Sequence, residues 1–198
     1  MAETHGFKSS GASVNIVLSN VDGWAEKNIR VFYDTLTGAG ESVIILAPVQ
    51  QLPGRESILR LKQRQPATLS PKFFGGAPDI AVAGYNVGAN LGSTTLISGT
   101  VGAATEAALQ GIPAIAFSGT SGSQASYTTA TQTYQVVYAQ LSTNVTATLV
   151  DSGNPCPPPQ RRLAQRQLPG RRQQHVLVRL AVQIRDLAPQ LGSVGGGR

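Results

Sequence analysis

Residues 14–37 read VNIVLSNVDGWAEKNIRVFYDTLT, and the fold class follows from the pattern within them. The first six residues, VNIVLS, are mostly apolar without strict alternation, which is typical of a strand buried on both faces. Residues 25–37 place apolar side chains at helical spacing on one face. The residues of that face are Ile29, Phe32, Tyr33 and Leu36. The stretch therefore predicts a buried strand and an amphipathic helix, joined by the short polar loop NVDGW.

Similar pairs of strand and helix follow along the chain. Apolar runs predict strands at 42–47, 79–84 and 114–118, and helical patterns occupy 99–110 and 129–150. Short apolar strands that alternate with helices indicate a mostly parallel sheet covered by helices on both faces. We therefore expect a doubly wound, Rossmann-like α/β fold.

Composition divides the chain near Asp151. The first 150 residues contain all eleven aromatic side chains and eight charged side chains of each sign. The last 48 residues hold eight arginines, two aspartates and six of the twelve prolines, with no aromatic residue. Such a segment buries too little apolar surface to offset the entropy lost on ordering, although 176–187 has the pattern of a short amphipathic helix. The predicted units are a disordered N-terminus at 1–13, an α/β domain at 14–150, and a disordered Arg/Pro/Gln-rich tail at 151–198.

Length and composition exclude several classes of protein. The 198 residues suffice for one domain with its own core. The single cysteine, Cys156, excludes a disulfide framework and a multi-cysteine zinc site. No apolar run reaches the ~18 residues of a membrane span, and residues 1–13 lack the pattern of a secretory signal. We therefore expect no membrane partner and, by default, a cytoplasmic location.

The net charge of +6 raises the question of a nucleic-acid partner. The whole excess lies in the tail, which has no aromatic side chains for base stacking, while residues 1–150 are neutral. A nucleic-acid binder that depends on the arginines of the tail is therefore the least favoured alternative.

Polar residues follow the first predicted strand, at the edge where a parallel sheet binds its ligands. Asn20, Asp22 and Gly23 lie in this loop. A carboxylate at a strand end, beside a glycine that permits a tight turn, suits a hard cation such as Mg²⁺ or Mn²⁺. The alternative is that Asp22 and Gly23 only form a turn or cap the next helix.

Two further segments carry candidate ligand-binding residues. The loop GYNVGANLG at 84–92 combines three glycines with two asparagines, which can ligate a metal or donate to phosphate. Residues 98–102, SGTVG, begin a predicted helix, whose free N–H groups and dipole favour an anion. The alternatives are a solvated turn for the first segment and a plain N-cap role of Ser98 in the second.

Together these segments resemble the SurE-like phosphatase and 5′-nucleotidase family, especially its fungal acid-phosphatase branch. The resemblance covers about residues 14–150. It rests on the order and adjacency of four segments: NIVLSNVDGWAEKNIRVFYDTL, VIILAP, PDIAVAGYNVGANLG and LISGTVGAATEAALQGIPAIAFSG.

The resemblance implies a function and a set of site residues. The family has a doubly wound α/β fold and a divalent-metal site, and it removes phosphate from nucleoside monophosphates and other phosphomonoesters. By this resemblance Asp22 and Asn86 hold Mg²⁺ or Mn²⁺, Asp22 and Asn20 are the catalytic residues, and the chain forms homo-oligomers. The residues implied to surround phosphate are Asn90, Ser98, Gly99 and Thr100. Fungal relatives are often secreted.

The chain also departs from the family pattern. Val21 stands where the family has the first aspartate of its metal motif, and Pro53 stands where it has a serine ligand. The stretch around 55–78 is shorter than in the family, and the resemblance stops near Cys156. The Arg-rich, Lys-free composition after that point is typical of a shifted reading frame, so we expect 157–198 to be out of frame.

These departures leave two interpretations of the α/β domain. The first is a phosphomonoesterase whose activity is impaired in this chain. The second is a non-catalytic module of the same fold that binds a nucleotide or phosphate without hydrolysing it.

Overall fold

A computed structural model describes residues 13–49, 72–88, 90, 92–120, 122–151 and 181–184. Its strands and helices alternate as the sequence predicts, except between the second and third strands, where residues 50–71 lie outside the described ranges. The elements, in chain order, are strand β1 (Asn15–Ser19), helix α1 (Lys27–Gly38), strand β2 (Ser42–Ile45), strand β3 (Ile80–Val87), a 3₁₀ helix (Gly92–Leu96), helix α2 (Gly99–Leu109), strand β4 (Ala114–Gly119), helix α3 (Thr133–Asp151) and strand β5 (Ala181–Ile184).

The strands form one parallel sheet in the order β2-β1-β3-β4-β5. Ile16 of β1 pairs with Val43 on one side and with Ile80 on the other. The chain moves outward from β1 to β2 and then in the opposite direction through β3 and β4, so the order reverses between β1 and β3. The predicted doubly wound α/β fold is confirmed, and such a reversal is where open α/β sheets bind their ligands.

Helices α1 and α3 cover one face of the sheet. Ile16 and Leu18 point to this face and are fully buried, together with Phe32 of α1. The rings of Phe32 and Phe117 meet edge to face with centroids 5.9 Å apart. Large apolar side chains therefore build the main core here, because burial of such surface is the dominant stabilising term in folding.

Helix α2 covers the other face with small residues. Ala103 and Ala104 pack against Ala83 of β3 and Ala116 of β4. Short side chains let a helix approach the strands closely, so the alanines of this helix serve packing. The close packing also fixes where the N-terminus of α2 lies relative to the strand ends.

Strand β3 continues three residues beyond the predicted end at 84. Gly84 has a φ of 107°, and a Cβ at this position would overlap the carbonyl oxygen of Phe117 on the neighbouring strand. The pairing register between β3 and β4 shifts between Ala83 and Asn86. A glycine is required here because the backbones approach so closely, and the shift sets which way the following residues face.

The prediction of a helix within 176–187 is wrong for Ala181–Ile184, which form β5 beside β4. The open edge of β4 offers unpaired N–H and C=O groups, and pairing with them favours a strand. The predicted domain boundaries stay a prediction. Residues 55–71, like Pro53, lie outside the described residues. Within the described ranges, no helix is long and apolar enough to cross a membrane.

Candidate functional site

The loop after β1, residues 20–26, carries the first candidate residues at the point where the strand order reverses. Asn20 is 1% exposed, and its Oδ1 accepts a hydrogen bond from the Asp22 N–H at 2.9 Å. This contact fixes the turn and thereby the direction of the next side chain. The structure thus shows Asn20 in a positioning contact, while its catalytic role stays a prediction.

The carboxylate of Asp22 has two oxygens in different surroundings. Oδ1 accepts a hydrogen bond from the side-chain amide of Gln124 at 2.6 Å. Oδ2 is buried and has no hydrogen-bond partner among the residues that the structure describes. Burial raises the pKa of Asp22, and the Gln124 hydrogen bond partly offsets that rise. A carboxylate with one engaged and one unsatisfied buried oxygen fits a cation, because the cation would satisfy the second oxygen.

Asn86 lies on β3, the neighbour of β1 in the sheet. Ser19 pairs with Ala83, and Asp22 and Asn86 each follow this pair by three residues in the sequence. The side chain of Asn86 is half-buried. The fold therefore brings the two predicted metal ligands to the same edge of two adjacent strands. Their role as ligands stays a prediction.

Few side chains at this edge of the sheet could act as metal ligands. In the described ranges, no three His, Cys, Asp or Glu side chains group together in a way that could hold a metal ion. Val21 is 9% exposed, and its hydrocarbon side chain offers no ligand atom. Asp22 and Asn86 are nevertheless oxygen donors, and Mg²⁺ is commonly bound by one or two carboxylates together with substrate phosphate and water. The residues present fit a cation of that kind.

The N-terminus of α2 carries the predicted phosphate-binding residues. Ser98 Oγ accepts a hydrogen bond from the Val101 N–H at 3.2 Å, so Ser98 is the N-cap and its O–H remains a donor. Helix geometry leaves the N–H groups of Gly99 and Thr100 without intrahelical acceptors. Thr100 is fully buried, and its Oγ1 has no hydrogen-bond partner in the described part of the chain. These donors suit an anion at the helix start.

Asn90 is held by the neighbouring strand. Its side-chain amide donates to Ser118 Oγ of β4 at 2.7 Å. Ser118 is buried, and it pairs with Asn86 in the sheet. The contact leaves the second amide hydrogen and the carbonyl oxygen of Asn90 for other partners. Its predicted contact with phosphate stays a prediction.

A second loop, residues 122–128 after β4, packs against the loop after β1. The Lys27 N–H donates to the Ala125 carbonyl at 2.8 Å, and the Tyr127 N–H donates to the Ala25 carbonyl at 2.9 Å. The rings of Trp24 and Tyr127 lie 5.7 Å apart between centroids. Main-chain hydrogen bonds and an aromatic contact therefore hold the two loops together beside Asp22.

Glu26 is a buried carboxylate between these loops. Its Oε2 accepts hydrogen bonds from the N–H groups of Asn28 and Ile29, and its Oε1 accepts one from Ala125. Burial raises the pKa of Glu26 to about 7; the backbone hydrogen bonds oppose the rise and the charge of Asp22 adds to it. Glu26 caps α1 and joins the second loop to it.

Sequence reasoning missed Gln124, Glu26 and Ser118. Glu26 precedes a predicted helix and so could have been identified as a capping residue. Gln124 lies in a polar segment, GTSGSQAS, that contains nothing to mark one residue as the partner of Asp22. Gln124 and Asp22 are 102 positions apart in the sequence, so only the folded structure shows that they are in contact.

A buried polar network supports β3 behind the site. The hydroxyl of Tyr85 donates to Asn28 Oδ1 at 2.8 Å, and the side-chain amide of Gln135 donates to the same oxygen at 2.9 Å. Desolvation, reinforced by the charge of Glu26, raises the pKa of Tyr85, so the hydroxyl stays protonated and donates. The network joins β3, α1 and α3 through Tyr85, the residue before Asn86 in the chain.

Comparison with known proteins gives a family match. The sequence model of the family described as "Survival protein SurE" matches residues 67–183. The match includes β3, α2, β4 and α3, and it extends beyond Cys156, where the resemblance was expected to stop, through most of β5. More than half of the chain is therefore matched.

Curated relatives agree with this match. The chain is 36% identical over 127 residues to "5′-nucleotidase SurE" of Desulfovibrio desulfuricans, covering 53% of this chain and 49% of the relative. It is 34% identical over 124 residues to "5′-nucleotidase SurE" of Stutzerimonas stutzeri, with the same two coverages. The chain spans about half the length of these relatives. The fungal branch within the family stays a prediction.

A solved structure has a similar fold. The SurE protein from Aquifex aeolicus matches with a TM-score of 0.54 and 22% identity, over 70% of this chain and 60% of that one. At this identity the likeness concerns the fold alone. It agrees with the parallel sheet and its helical layers.

Proposed function

The chain belongs to the SurE family, and from this premise we propose that it is a metal-dependent phosphomonoesterase. Its substrates would be nucleoside monophosphates or similar phosphate esters. The names of two relatives, each "5′-nucleotidase SurE", support a nucleotidase of this class.

The observation that carries the proposal is the buried, unsatisfied Oδ2 of Asp22 among the described residues. It follows β1 at the point where the order of the sheet reverses, and Asn86 lies near the end of the adjacent strand β3. An unpaired carboxylate oxygen is costly to bury, so its presence at a ligand-binding edge is typical of a cation site.

The proposed mechanism assigns separate tasks to the two sides of the site. Asp22 and Asn86 would hold the cation, and Asn20 would keep Asp22 in its turn. When bound, the cation supplies Lewis-acid polarisation of the phosphate and of the attacking water.

The start of α2 would bind the phosphate. The N–H groups of Gly99 and Thr100, with the hydroxyls of Ser98 and Thr100, would stabilise the negative charge that develops as the P–O bond breaks. Asn90, held by Ser118 of β4, would add an amide donor. Because these groups are fixed before substrate arrives, they need little rearrangement in the transition state.

Burial of Val21 supports a second candidate function. The family resemblance puts a carboxylate at this position, and here a nearly buried hydrocarbon side chain removes one ligand. With fewer ligands, cation affinity falls while the helix start stays intact. The chain would then bind nucleotide or phosphate without hydrolysing it.

One assay distinguishes these functions. Phosphate release is measured from a panel of nucleoside monophosphates with Mn²⁺, with Mg²⁺ and with EDTA. Turnover that EDTA abolishes supports the phosphomonoesterase. Binding of a nucleoside monophosphate without turnover, independent of added metal, supports the second function.

A restored variant serves as the matched comparison. The double substitution Val21→Asp and Pro53→Ser returns the two side chains that the family pattern implies. Turnover only in this variant would mean that the scaffold is sound and that the missing ligands abolish catalysis. Absence of both turnover and binding in a folded chain would refute both functions, with folding checked by circular dichroism.

A further inference from the structure

The contact between Gln124 and Asp22 joins two loops that are far apart in the sequence. The side-chain amide donates to Asp22 Oδ1 at 2.6 Å across a separation of 102 residues. The distance is short for an N–H···O bond, as expected for a carboxylate acceptor. With Oδ1 engaged, the buried Oδ2 is the oxygen that remains for a ligand, since no described residue bonds to it.

The loop that carries Gln124 is held by contacts of its own. Main-chain hydrogen bonds join Lys27 to Ala125 and Tyr127 to Ala25, at 2.8 Å and 2.9 Å. The Trp24 and Tyr127 rings add a tilted aromatic contact. The loop should therefore stay docked when the side chain of Gln124 is changed.

Resting on the proposed function, we propose that Gln124 is a positioning residue for the cation site. Its amide is a neutral donor, so it orients the carboxylate without neutralising the charge that attracts the cation. A lysine or arginine there would compete with the cation for the same charge. Hydrogen bonds to metal-ligating carboxylates contribute about 10–100-fold to metal affinity, so the loss of this amide should have a measurable effect.

The test measures the affinity of the full chain for Mn²⁺, with free Mn²⁺ followed by electron paramagnetic resonance. Gln124→Ala removes the side chain, and Gln124→Met keeps its length without the donor. We expect both to raise the Kd for Mn²⁺ by about 10–100-fold. The control is Ser123→Ala, since Ser123 is bonded to Tyr134 through its main chain. Its Kd should stay within about twofold.

A metal-free measurement separates positioning from a loss of structure. Trp24 is the only tryptophan of the chain and touches Tyr127 of the docked loop. Its fluorescence without metal should therefore be the same in the unsubstituted chain and in Gln124→Met.

Three outcomes would overturn the inference. An unchanged Kd in both variants would show that the amide does not support the site. A weaker Kd accompanied by altered Trp24 emission in both would show that Gln124 acts by docking the loop. Failure of the unsubstituted chain to bind Mn²⁺ would refute both the proposed function and the role of Gln124. In the first two outcomes the unsubstituted chain still binds Mn²⁺, so they refute the role of Gln124 alone.

Discussion

The loop after β1 and the start of α2 lie at the same edge of the sheet, but different interactions hold them in place. Asp22 is held by a side-chain contact with a residue 102 positions away. The start of α2 is organised locally, by the Ser98 cap three residues from its partner. Besides its local turn contact with Asn20, the first region depends on a distant part of the fold, whereas the second forms wherever the helix forms. Substitutions should therefore affect the two regions differently.

The largest expected effect belongs to Asp22→Asn. The substitution keeps the size of the side chain but removes the charge that would attract the cation. We expect phosphate release with Mn²⁺ to fall by about 100-fold or more. The control is Asp34→Asn on the exposed side of α1, which should leave the rate unchanged. Equal loss in both variants would contradict a specific role for Asp22.

At the start of α2, the substitution Thr100→Val should weaken phosphate binding without lowering the free energy of unfolding. The Thr100 hydroxyl is buried and has no partner within the described residues, so replacing it by a methyl group should not lower the free energy of unfolding. If it contacts phosphate, the KM for a nucleoside monophosphate should rise by about tenfold.

Steady-state kinetics and urea unfolding measure the two quantities. Thr105→Val is the matched control, since the Thr105 hydroxyl donates to the Val101 carbonyl one turn into the same helix. A KM that stays unchanged in Thr100→Val would place phosphate elsewhere.

A smaller effect is expected at Glu26, which connects the loop after β1 to the loop after β4. Glu26 keeps its proton up to about pH 7 when folded, whereas the unfolded chain releases it near its usual value of 4.5. Between these values the folded state binds more protons, so the free energy of unfolding should fall as pH rises and level off above about 7.

The measurement is urea unfolding across this pH window, followed by Trp24 fluorescence. Glu26→Gln should reduce the pH dependence, because glutamine does not ionise, and should leave the contribution of Asp22, whose pKa burial also raises. Asp34→Asn is the control and should follow the unsubstituted chain. A Glu26→Gln curve that falls as steeply as the original would show that another group causes the dependence.

The smallest expected effect is that of Tyr85→Phe, in the buried network that Tyr85 forms with Asn28 and Gln135. The substitution removes one hydrogen bond to Asn28, which still accepts from Gln135. The free energy of unfolding should fall by about 1 kcal/mol, measured by urea unfolding. A change below about 0.3 kcal/mol would mean that the network adds little to the stability of β3.

The sequence predicted the parts of this protein whose signals are local. The apolar run before Asn20 and the helical spacing of Ile29 and Phe32 led to β1 and α1. The Ser98 cap and the placement of Asp22 after β1 followed in the same way, whereas Asn86, predicted in the loop after the third strand, lies within β3. Each depends on residues within a few positions, or on the general rule for parallel sheets.

The features that were missed depend on pairing across the chain. Gln124 has no motif of its own and becomes recognisable only beside Asp22. Ala181–Ile184 lie in an Arg-rich segment whose composition indicates disorder and whose spacing favours a helix, yet the open edge of β4 makes them a strand. Gly84 marks a close approach to Phe117 that no local pattern specifies. Tertiary contacts decide such cases over local preference.

The most direct test of the central claim is to locate bound Mn²⁺ by nuclear magnetic resonance. Paramagnetic Mn²⁺ broadens the signals of nuclei close to it, so it identifies the residues around its site. With substoichiometric Mn²⁺, the signals of Asp22, Asn86 and Gln124 should broaden first. Broadening centred on an exposed carboxylate such as Asp34, with Asp22 and Asn86 unaffected, would contradict a cation site at the edge where the strand order reverses.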